Sequence, residues 1–293
     1  MLFTNAALGR FAKDPAVVRF RGKYFLYYSL RHEDDRFGVG IAVSDNLEDW
    51  QCAGEVPQDD ACEAKGIAAP GAIVLNDQVH IFYQTYGNWR QDALCHAMSA
   101  DGFTFRKNPE NPVFRPTEDW CCGRAIDADV CVFNGKLHLY FATRDHDMKV
   151  QKVGGAWAEL DSGFGRSAWT PLASQSLLIP ELKWEDECIE APATIVHEGK
   201  LYMFYGGSYN CTPQQIGCAV SEDGVFFRRT SVEPFIPCGA PDAWNSSESG
   251  HPYAFLDHDG RAHLFYQGSA DMGKTWYLSR VEIDFADGKP VLK

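Results

Sequence analysis

The amino-acid sequence predicts an all-β fold, a five-bladed β-propeller, from a fivefold repeat, its spacing and the lack of helical periodicity. The repeat is a glycine or aspartate followed by a strand of alternating aromatic and aliphatic residues, and its copies begin at Gly22, Asp77, Gly135, Gly199 and Gly260. These starts are 55, 58, 64 and 61 residues apart, a spacing typical of three or four antiparallel strands per unit. Apolar residues do not recur at i, i+3 and i+4, which excludes a helical solenoid. We therefore expect residues 1–293 to form a single propeller domain.

Each repeat is predicted to open with a β-hairpin. A short apolar strand precedes every copy, at residues 16–18, 72–75, 130–133, 193–196 and 253–256. The connecting turns carry Gly, Asn or Asp, which tolerate positive φ. A third strand and a polar turn follow, as at residues 44–50, 99–105 and 221–227. The first strand of each repeat should be the innermost strand of its blade and line the central channel.

Composition narrows the range of partners. The net charge of −13 opposes binding to nucleic acid, acidic membranes and polyanions, and favours a neutral ligand. The ten cysteines contain no CxxC pair, so we predict reduced thiols and no cysteine-bound metal. No basic segment followed by an apolar run opens the chain, and no stretch approaches the length of a membrane span. These features predict a cytoplasmic protein, and they leave its oligomeric state open.

Three acidic residues stand at matching places in three repeats. Asp14 and Asp127 precede their hairpin turns by eight residues, and Glu190 precedes its turn by nine. We therefore assign them to one structural position, the beginning of the innermost strands of blades one, three and four. Carboxylates there lose hydration and repel one another, so three together indicate chemistry. Two carboxyl groups roughly 6.5–9.5 Å apart, with a water between, are what inverting glycoside hydrolysis requires.

The segments that contain these acids, residues 5–15, 126–129 and 189–192, resemble the three acidic motifs of glycoside hydrolase family 43. The five-bladed relatives of that family include families 32, 68 and 117. The resemblance covers essentially the whole chain. It implies that Asp14 is the general base, Asp127 adjusts the pKa and orientation of the acid, and Glu190 is the general acid.

The resemblance thus implies an inverting, exo-acting glycosidase on neutral oligosaccharides. Arabinofuranoside-, xyloside-, galactoside- and fructoside-type linkages all stay open. It implies no organic cofactor and a small oligosaccharide as the partner. His251 occupies a slot in which several family members place a histidine near a channel ion, so a calcium ion beside it also stays open.

The chain departs from the family pattern in three places. Residues 68–70 read Ala-Ala-Pro where many members have Trp-Ala-Pro, so one wall of the sugar pocket is missing. Ala128 replaces the usual proline after the second acid. Asp129 shares a face with Asp127 in a regularly alternating strand and therefore competes for its role. The Trp-Met-Asn-Asp-Pro signature of the retaining β-fructosidases is also absent.

Further candidates for substrate binding lie in loops between strands. Arg144 follows the blade-three hairpin and is suited to bind sugar hydroxyls or support a carboxylate. Four tryptophans in loops are candidate platforms for a sugar ring, of which we expect about two to act so: Trp89, Trp120, Trp184 and Trp244.

Two other functions compete with hydrolysis by this family. Residues 269–276 match the Ser-x-Asp-x-Gly-x-Thr-Trp box of sialidases. That box is a structural turn, and a sialidase also needs an arginine triad and a tyrosine nucleophile. A catalytically inert sugar-binding propeller would keep the aromatic loops, but it has no need of three acids in register.

Overall fold

The five repeats form five antiparallel sheets arranged as the blades of a propeller, which confirms the predicted fold class. The computed structural model describes residues 2–293. Blade one contains β2 (Lys13–Phe20), β3 (Lys23–Arg31), β4 (Phe37–Ser44) and β5 (Gln51–Glu55). Blade two contains β6 (Ile67–Leu75), β7 (Gln78–Thr85), β8 (Leu94–Ser99) and β9 (Arg106–Lys107). Blade three contains β10 (Ile126–Phe133), β11 (Lys136–Arg144), β12 (Gln151–Ala158) and β13 (Thr170–Pro171).

Blades four and five complete the ring. Blade four contains β14 (Ile189–His197), β15 (Lys200–Gly207), β16 (Gln215–Ser221) and β17 (Arg228–Arg229). Blade five contains β18 (Glu248–Leu256), β19 (Ala262–Ser269) and β20 (Tyr277–Ala286), whose outer edge pairs with β1 (Leu2–Phe3) and β21 (Lys289–Leu292). Both ends of the chain therefore contribute to one blade. This arrangement closes the ring by hydrogen bonds and covers a sheet edge.

The predicted hairpins are present at the start of every blade. The first four turns have two consecutive residues with positive φ, as in Asn76–Asp77 with φ of 50° and 56°. This is the turn conformation that matches the twist of paired strands. The polar turns after the third strands of blades two and four are alike, and the turn after the second strand of blade five repeats their hydrogen bonds: Asp101, Asp223 and Asp271 each accept hydrogen bonds from two backbone N–H groups that follow them. The sialidase-type box is thus one copy of a turn shared by several blades.

Buried aromatic residues pack the blades against one another. Tyr27 of blade one donates to the carbonyl of Gly102 in blade two at 2.9 Å, and its ring meets Phe105 edge-on at 5.5 Å. Tyr140 of blade three makes the equivalent bond to Gly224 of blade four, also at 2.9 Å. These contacts join each blade to its neighbour through side chains, because no backbone ladder crosses between blades among residues 2–293.

The innermost strands β2, β6, β10, β14 and β18 form a ring in which each contacts the next and β18 contacts β2. Every one of them is interrupted near its start by a β-bulge. A bulge lets a strand redirect a side chain that regular pleating would fix. The five bulges lie side by side and form one mouth of the channel.

Two of the predictions from the sequence concern membrane spans and the state of the cysteines. Within residues 2–293 no helix is long and apolar enough to cross a membrane. All ten cysteines are free thiols.

Candidate active site

The bulges place one residue of each blade in the left-handed backbone region at the channel mouth. In blades one, three and five this residue is Asp14 (φ 50°), Asp127 (φ 52°) and His251 (φ 39°). In blade four it is Ala191, and Glu190 precedes it by one residue. The expectation that all three acids share one structural position is therefore wrong for Glu190. Because Glu190 comes from the neighbouring position, it reaches the same centre from a different direction.

Side chains of the preceding blade hold these strained bulges in place. Gln267 Oε1 accepts the N–H of Asp14 at 3.1 Å, and Gln84 Oε1 accepts the N–H of Asp127 at 2.8 Å. Gln214 Oε1 accepts the N–H of His251 at 3.2 Å. Positive φ is unfavourable for residues with a Cβ and persists only where the surroundings impose it. These hydrogen bonds compensate the strain and fix the direction of each functional side chain.

His251 lies between two of the predicted catalytic carboxylates. Its Nδ1 is 2.8 Å from Asp14 Oδ1, and its Nε2 is 3.1 Å from Glu190 Oε1. Only the imidazole ring separates these contacts, so the two oxygens lie about 8 Å apart or less, against the roughly 6.5–9.5 Å used for inversion. All three side chains are buried, with 10% or less of each exposed.

Charge pairing controls the ionisation of Asp14 and His251. Burial would raise the pKa of Asp14, but the charges of His251 and Lys13 outweigh it and hold that pKa well below its usual range. Burial would lower the pKa of His251, but Asp14 and Glu190 outweigh it and hold that pKa well above the ordinary value. The resting site therefore contains an ionised Asp14 paired with an imidazolium.

Glu190 accepts hydrogen bonds from several amide groups as well as facing His251. Gln214 Nε2 donates to Oε1 at 2.6 Å, Asn210 Nδ2 donates to Oε1 at 3.4 Å, and Gln151 Nε2 donates to Oε2. Burial would raise the pKa of Glu190, but His251 and the Gln214 hydrogen bond outweigh it and lower the pKa. In the absence of substrate, Glu190 is thus stabilised as a carboxylate.

Asp127 has the opposite environment. Burial raises its pKa to about 7; His251 opposes the shift, and the charges of Glu190 and Asp14 add to it. Among residues 2–293, no group donates to Asp127 Oδ2, although this atom is buried. One oxygen of Asp127 nevertheless lies within 4.8 Å of an oxygen of Glu190. The two carboxyl groups are therefore electrostatically coupled, and Asp127 is the one whose surroundings favour the protonated form.

Asp129, the competitor of Asp127, has different surroundings. The bulge between Ile126 and Asp129 breaks the regular alternation, so the expectation that Asp127 and Asp129 share a face is wrong. Asp129 Oδ2 accepts hydrogen bonds from the N–H and the hydroxyl of Thr194. Burial raises its pKa to about 7, against the effect of those bonds. Asp127, and not Asp129, lies with Glu190 and His251.

A second buried polar network adjoins Asp14. Lys13 Nζ donates to Asn210 Oδ1 at 3.0 Å and lies 4.4 Å from the centre of the Trp276 ring. Glu248 is fully buried and accepts from Gln267 Nε2 at 2.7 Å and from the N–H of Cys211 at 2.6 Å. Burial raises the pKa of Glu248, and Lys13 opposes that shift. Lys13 thus supplies positive charge beside the carboxylates.

Two groups of aromatic rings border the mouth. On one side the guanidinium of Arg144 lies between the rings of Trp89 and Tyr209, at 5.2 and 5.0 Å from their centres. Trp89 is 61% exposed, which leaves part of its ring accessible. On the side of Asp14, Tyr86 stacks on Phe37 at 4.3 Å. These rings and Arg144 are the groups available to contact a sugar above the carboxylates.

The other predicted tryptophan platforms have packing roles. Trp120 packs on Gly154 of β12, Trp184 packs on Gly207 of β15, and Trp244 packs on Gly268 of β19. Trp184 also stacks on Tyr205, and Trp244 lies against Tyr266. One face of each ring is covered, because a glycine in a strand lets an aromatic side chain lie flat on the backbone. All three side chains stay half-buried, so a role as sugar platforms remains a prediction for them.

A calcium ion bound directly by His251 does not fit this arrangement. Calcium takes six to eight oxygen ligands, whereas both ring nitrogens of His251 face carboxylates. A small hollow at the channel mouth is lined by Asp14, Asp127 and His251 together with alanine, proline and tyrosine residues of the bulges. Carboxyl oxygens of Asp127 and Glu190 lie within 4.8 Å of each other and of a nitrogen of His251. A calcium ion beside His251 that takes its ligands from these carboxyl groups and from water therefore stays a prediction.

The sequence did not reveal the amides that surround the acids. Gln84 lies on β7, Gln151 on β12 and Gln267 on β19, and Gln214 immediately precedes β16. Gln84 and Gln267 stand at matching register positions opposite the bulges of their own blades. A polar residue at that position of a buried second strand is the feature of the sequence that could have identified these two glutamines.

Comparison with known proteins agrees with this geometry. Residues 3–290 match the model of "Glycosyl hydrolases family 43", and the chain belongs to this family. It is 26% identical to xylosidase/arabinosidase 43A of Humicola insolens over 149 residues, which cover 48% of this chain and 43% of that protein. The chain thus spans less than half the length of this curated relative.

Solved structures share the fold over nearly the whole chain. A thermostable family-43 glycoside hydrolase superposes with a TM-score of 0.79 at 22% identity and covers 99% of this chain and 96% of its own. An endo-1,4-beta-xylanase from Bacteroides thetaiotaomicron VPI-5482 superposes with a TM-score of 0.77 at 20% identity and covers 96% and 94% of the two chains. The family match and the superpositions thus show the family and the fold of this chain.

Proposed function

We propose that the protein is an inverting, exo-acting glycosidase in which Asp14 activates water and Glu190 protonates the leaving group. The observation that carries this proposal is the placement of Asp14 and Glu190 on opposite sides of His251, about 8 Å apart or less. A general base must be ionised at the working pH, and the lowered pKa of Asp14 meets that requirement. The separation leaves room for a water between Asp14 and an anomeric carbon.

The proton for the leaving group comes from the pair that Asp127 and Glu190 form. In the resting state Asp127 holds the proton, because it is buried without a donor to Oδ2 while Glu190 has several. A substrate oxygen beside Glu190 and the exclusion of water favour transfer of that proton to Glu190. Asp127 then becomes the carboxylate that raises the pKa of its neighbour, which is the modulator role implied by its position.

A neutral oligosaccharide suits the charge of the mouth. Ionised Asp14 and Glu190 are balanced by His251 and Lys13, so the site carries little net charge for a charged substrate to pair with. The aromatic rings of Trp89 and Tyr86 offer apolar faces to a pyranose or furanose ring. Asp14 and Asp127 line a small hollow at the channel mouth, and a small hollow favours binding of a chain end and hence exo-action.

We also propose that the enzyme works in a reducing compartment on short oligosaccharides. Cys62 and Cys95 support this, since their sulfurs lie 3.7 Å apart as free thiols.

The experiment that tests the proposal is a panel of aryl arabinofuranosides, xylosides, galactosides and fructosides, with the anomer of the first product followed by NMR. An inverted anomer supports the assignment, and a retained anomer would favour a β-fructosidase-type nucleophile at Asp14. Glu190→Gln should lower turnover of an alkyl glycoside by several orders of magnitude and that of an activated aryl glycoside much less. Loss of less than about tenfold on both substrates would contradict the role of Glu190. A wild type that binds sugars but hydrolyses none would identify an inert sugar-binding propeller.

A further inference from the structure

Gln151 occupies a place where it links two arginines to the proposed acid. It is the first residue of β12, is fully buried, and pairs in register with Arg144 of β11. Its Nε2 donates to Glu190 Oε2. We propose that Gln151 is a positioning residue for Glu190 and that Arg144 and Arg124 fix its orientation. This inference rests on the proposed role of Glu190 as the general acid.

The arginines determine which end of the Gln151 amide faces Glu190. Arg144 Nε donates to Gln151 Oε1 at 2.7 Å, and Arg124 Nη1 donates to the same oxygen at 3.5 Å. A carboxamide can turn over and exchange its donor and acceptor ends. Two guanidinium donors on Oε1 exclude the turned-over form, so the NH₂ group points at Glu190.

Arg144 is itself held without a carboxylate. Its Nη1 donates to the carbonyl of Met148 at 3.1 Å, and its guanidinium lies between Trp89 and Tyr209. No carboxylate of residues 2–293 lies within ion-pair distance of it, whereas Arg124 pairs with Asp92 at 3.4 Å. A half-buried cation that uses its Nε for a neutral amide polarises that amide and strengthens its donor end. The Arg144 guanidinium therefore acts on Glu190 through Gln151 and not by direct pairing.

Glu190 is surrounded by charged and titratable groups from every element around it. Those on the strands and loops packed against it are Lys13 and Asp14 of β2, Arg124 and Asp127 at β10, Arg144 of β11, Cys188 before β14, Tyr209 after β15, and Glu248 and His251 of β18. Gln151 and Gln214 are the neutral members of this shell. Loss of the Gln151 donor leaves the other groups in place, so its effect on Glu190 can be measured separately.

The test compares Gln151→Met and Gln151→Glu with wild type. Met removes the donor, so the Glu190 carboxylate is less stabilised and its pKa rises. Glu replaces the donor with a second carboxylate, and the pKa rises further. We expect kcat on an alkyl glycoside to fall about tenfold with KM within twofold, because Gln151 is buried and does not reach substrate. The basic limb of the kcat/KM profile should move to higher pH, more for Glu than for Met.

Controls separate this effect from loss of folding. Gln215→Met makes the same change on β16 at a half-buried residue that bonds to the N–H of Cys238 at 3.4 Å, and it should leave both parameters unchanged. Arg144→Met keeps Gln151 but leaves only the longer bond from Arg124 on its Oε1, and it should shift the basic limb in the same direction by less. If Gln151→Met does not fold, the kcat/KM profile of Arg144→Met against pH tests the proposal in its place.

An infrared titration provides a readout independent of activity. The Glu190 carboxylate band is identified by its loss in Glu190→Gln, and its midpoint should move to higher pH in Gln151→Met. An unchanged midpoint, or a raised KM with unchanged kcat, would overturn the positioning role even in an active enzyme. A wild type inert on every glycoside would contradict the proposed function, while the infrared shift would still decide the role of Gln151.

Discussion

Asp14 and Asp127 occupy the same structural position in blades one and three, yet their environments are opposite. Both lie in a bulge with φ near 50°, and both have their N–H groups bound by a glutamine of the preceding blade. Asp14 faces the imidazolium of His251 and the ammonium of Lys13, which hold its pKa well below the usual range. Asp127 has no ion pair of this kind among residues 2–293, and burial raises its pKa to about 7.

The comparison shows that the backbone sets where a carboxyl group lies while its neighbours set whether it is ionised. One fold position thereby holds a carboxyl group that favours the ionised form in blade one and a carboxyl group that favours the protonated form in blade three. Environments that push two carboxyl pKa values apart are a general way to assign acid and base roles.

The largest expected effect comes from replacing Asp14, the carboxyl group that its neighbours keep ionised. Asp14→Asn keeps the bulge hydrogen bond to Gln267 but removes the base, so kcat/KM should fall about 10³-fold on alkyl and aryl glycosides alike. Steady-state kinetics with both substrates measures this. A loss confined to the alkyl glycoside would show that Asp14 donates the proton to the leaving group, which contradicts its assignment as the ionised base.

Replacing Asp127, the carboxyl group whose pKa is raised, should cause a smaller, pH-dependent loss of kcat/KM. Asp127→Asn removes the negative charge that Asp127 acquires once its proton has moved to Glu190, and thus lowers the pKa of Glu190. We expect about 10²-fold lower kcat/KM at pH 7, with the basic limb moved to lower pH because the acid loses its proton earlier. The pH profile of the variant checks the direction, and a basic limb at higher pH would contradict the proposed proton sharing.

His251→Gln removes the imidazolium, whose positive charge lowers the pKa of Asp14. Without the imidazolium the pKa values of Asp14 and Glu190 rise, so both limbs of kcat/KM should move to higher pH. We expect about tenfold lower kcat/KM at pH 5, where Asp14 becomes protonated, and a smaller loss at pH 8. Equal losses at pH 5 and pH 8 would show that His251 acts only through packing.

The smallest effect concerns stability and uses Asp129, the carboxyl group on the same strand as Asp127. Its folded-state pKa of about 7 lies above the unfolded value, so its contribution to stability is full at low pH and is lost as pH rises through 7. Asp129→Asn keeps an oxygen for Thr194 and removes this loss. Calorimetry should find the variant a few degrees more stable at pH 8 and nearly unchanged at pH 4. Equal shifts at both pH values would contradict the assigned ionisation.

The sequence predicted the repeat, its hairpins and the three acids, because each depends on local pattern. Turn residues and alternating apolar strands are visible in the chain without its partners. The sequence also predicted Arg144 and His251 as site residues, and the structure brings both to Glu190, His251 directly and Arg144 through Gln151. It did not reveal that Trp120 and Trp244 pack on strand glycines, since nothing in a loop sequence says which blade glycine will lie against a ring.

By itself, the sequence determined the blade count, the order of the strands and the identity of the carboxyl groups, since these follow from spacing and residue type. Only the tertiary structure decided that Glu190 enters one residue before the bulge, and that His251 lies between it and Asp14. It also decided that Asp14 lies within ion-pair distance of His251 while Asp127 does not. The physical reason is that a pKa depends on groups within a few ångströms, and a propeller brings those groups from blades far apart in the chain.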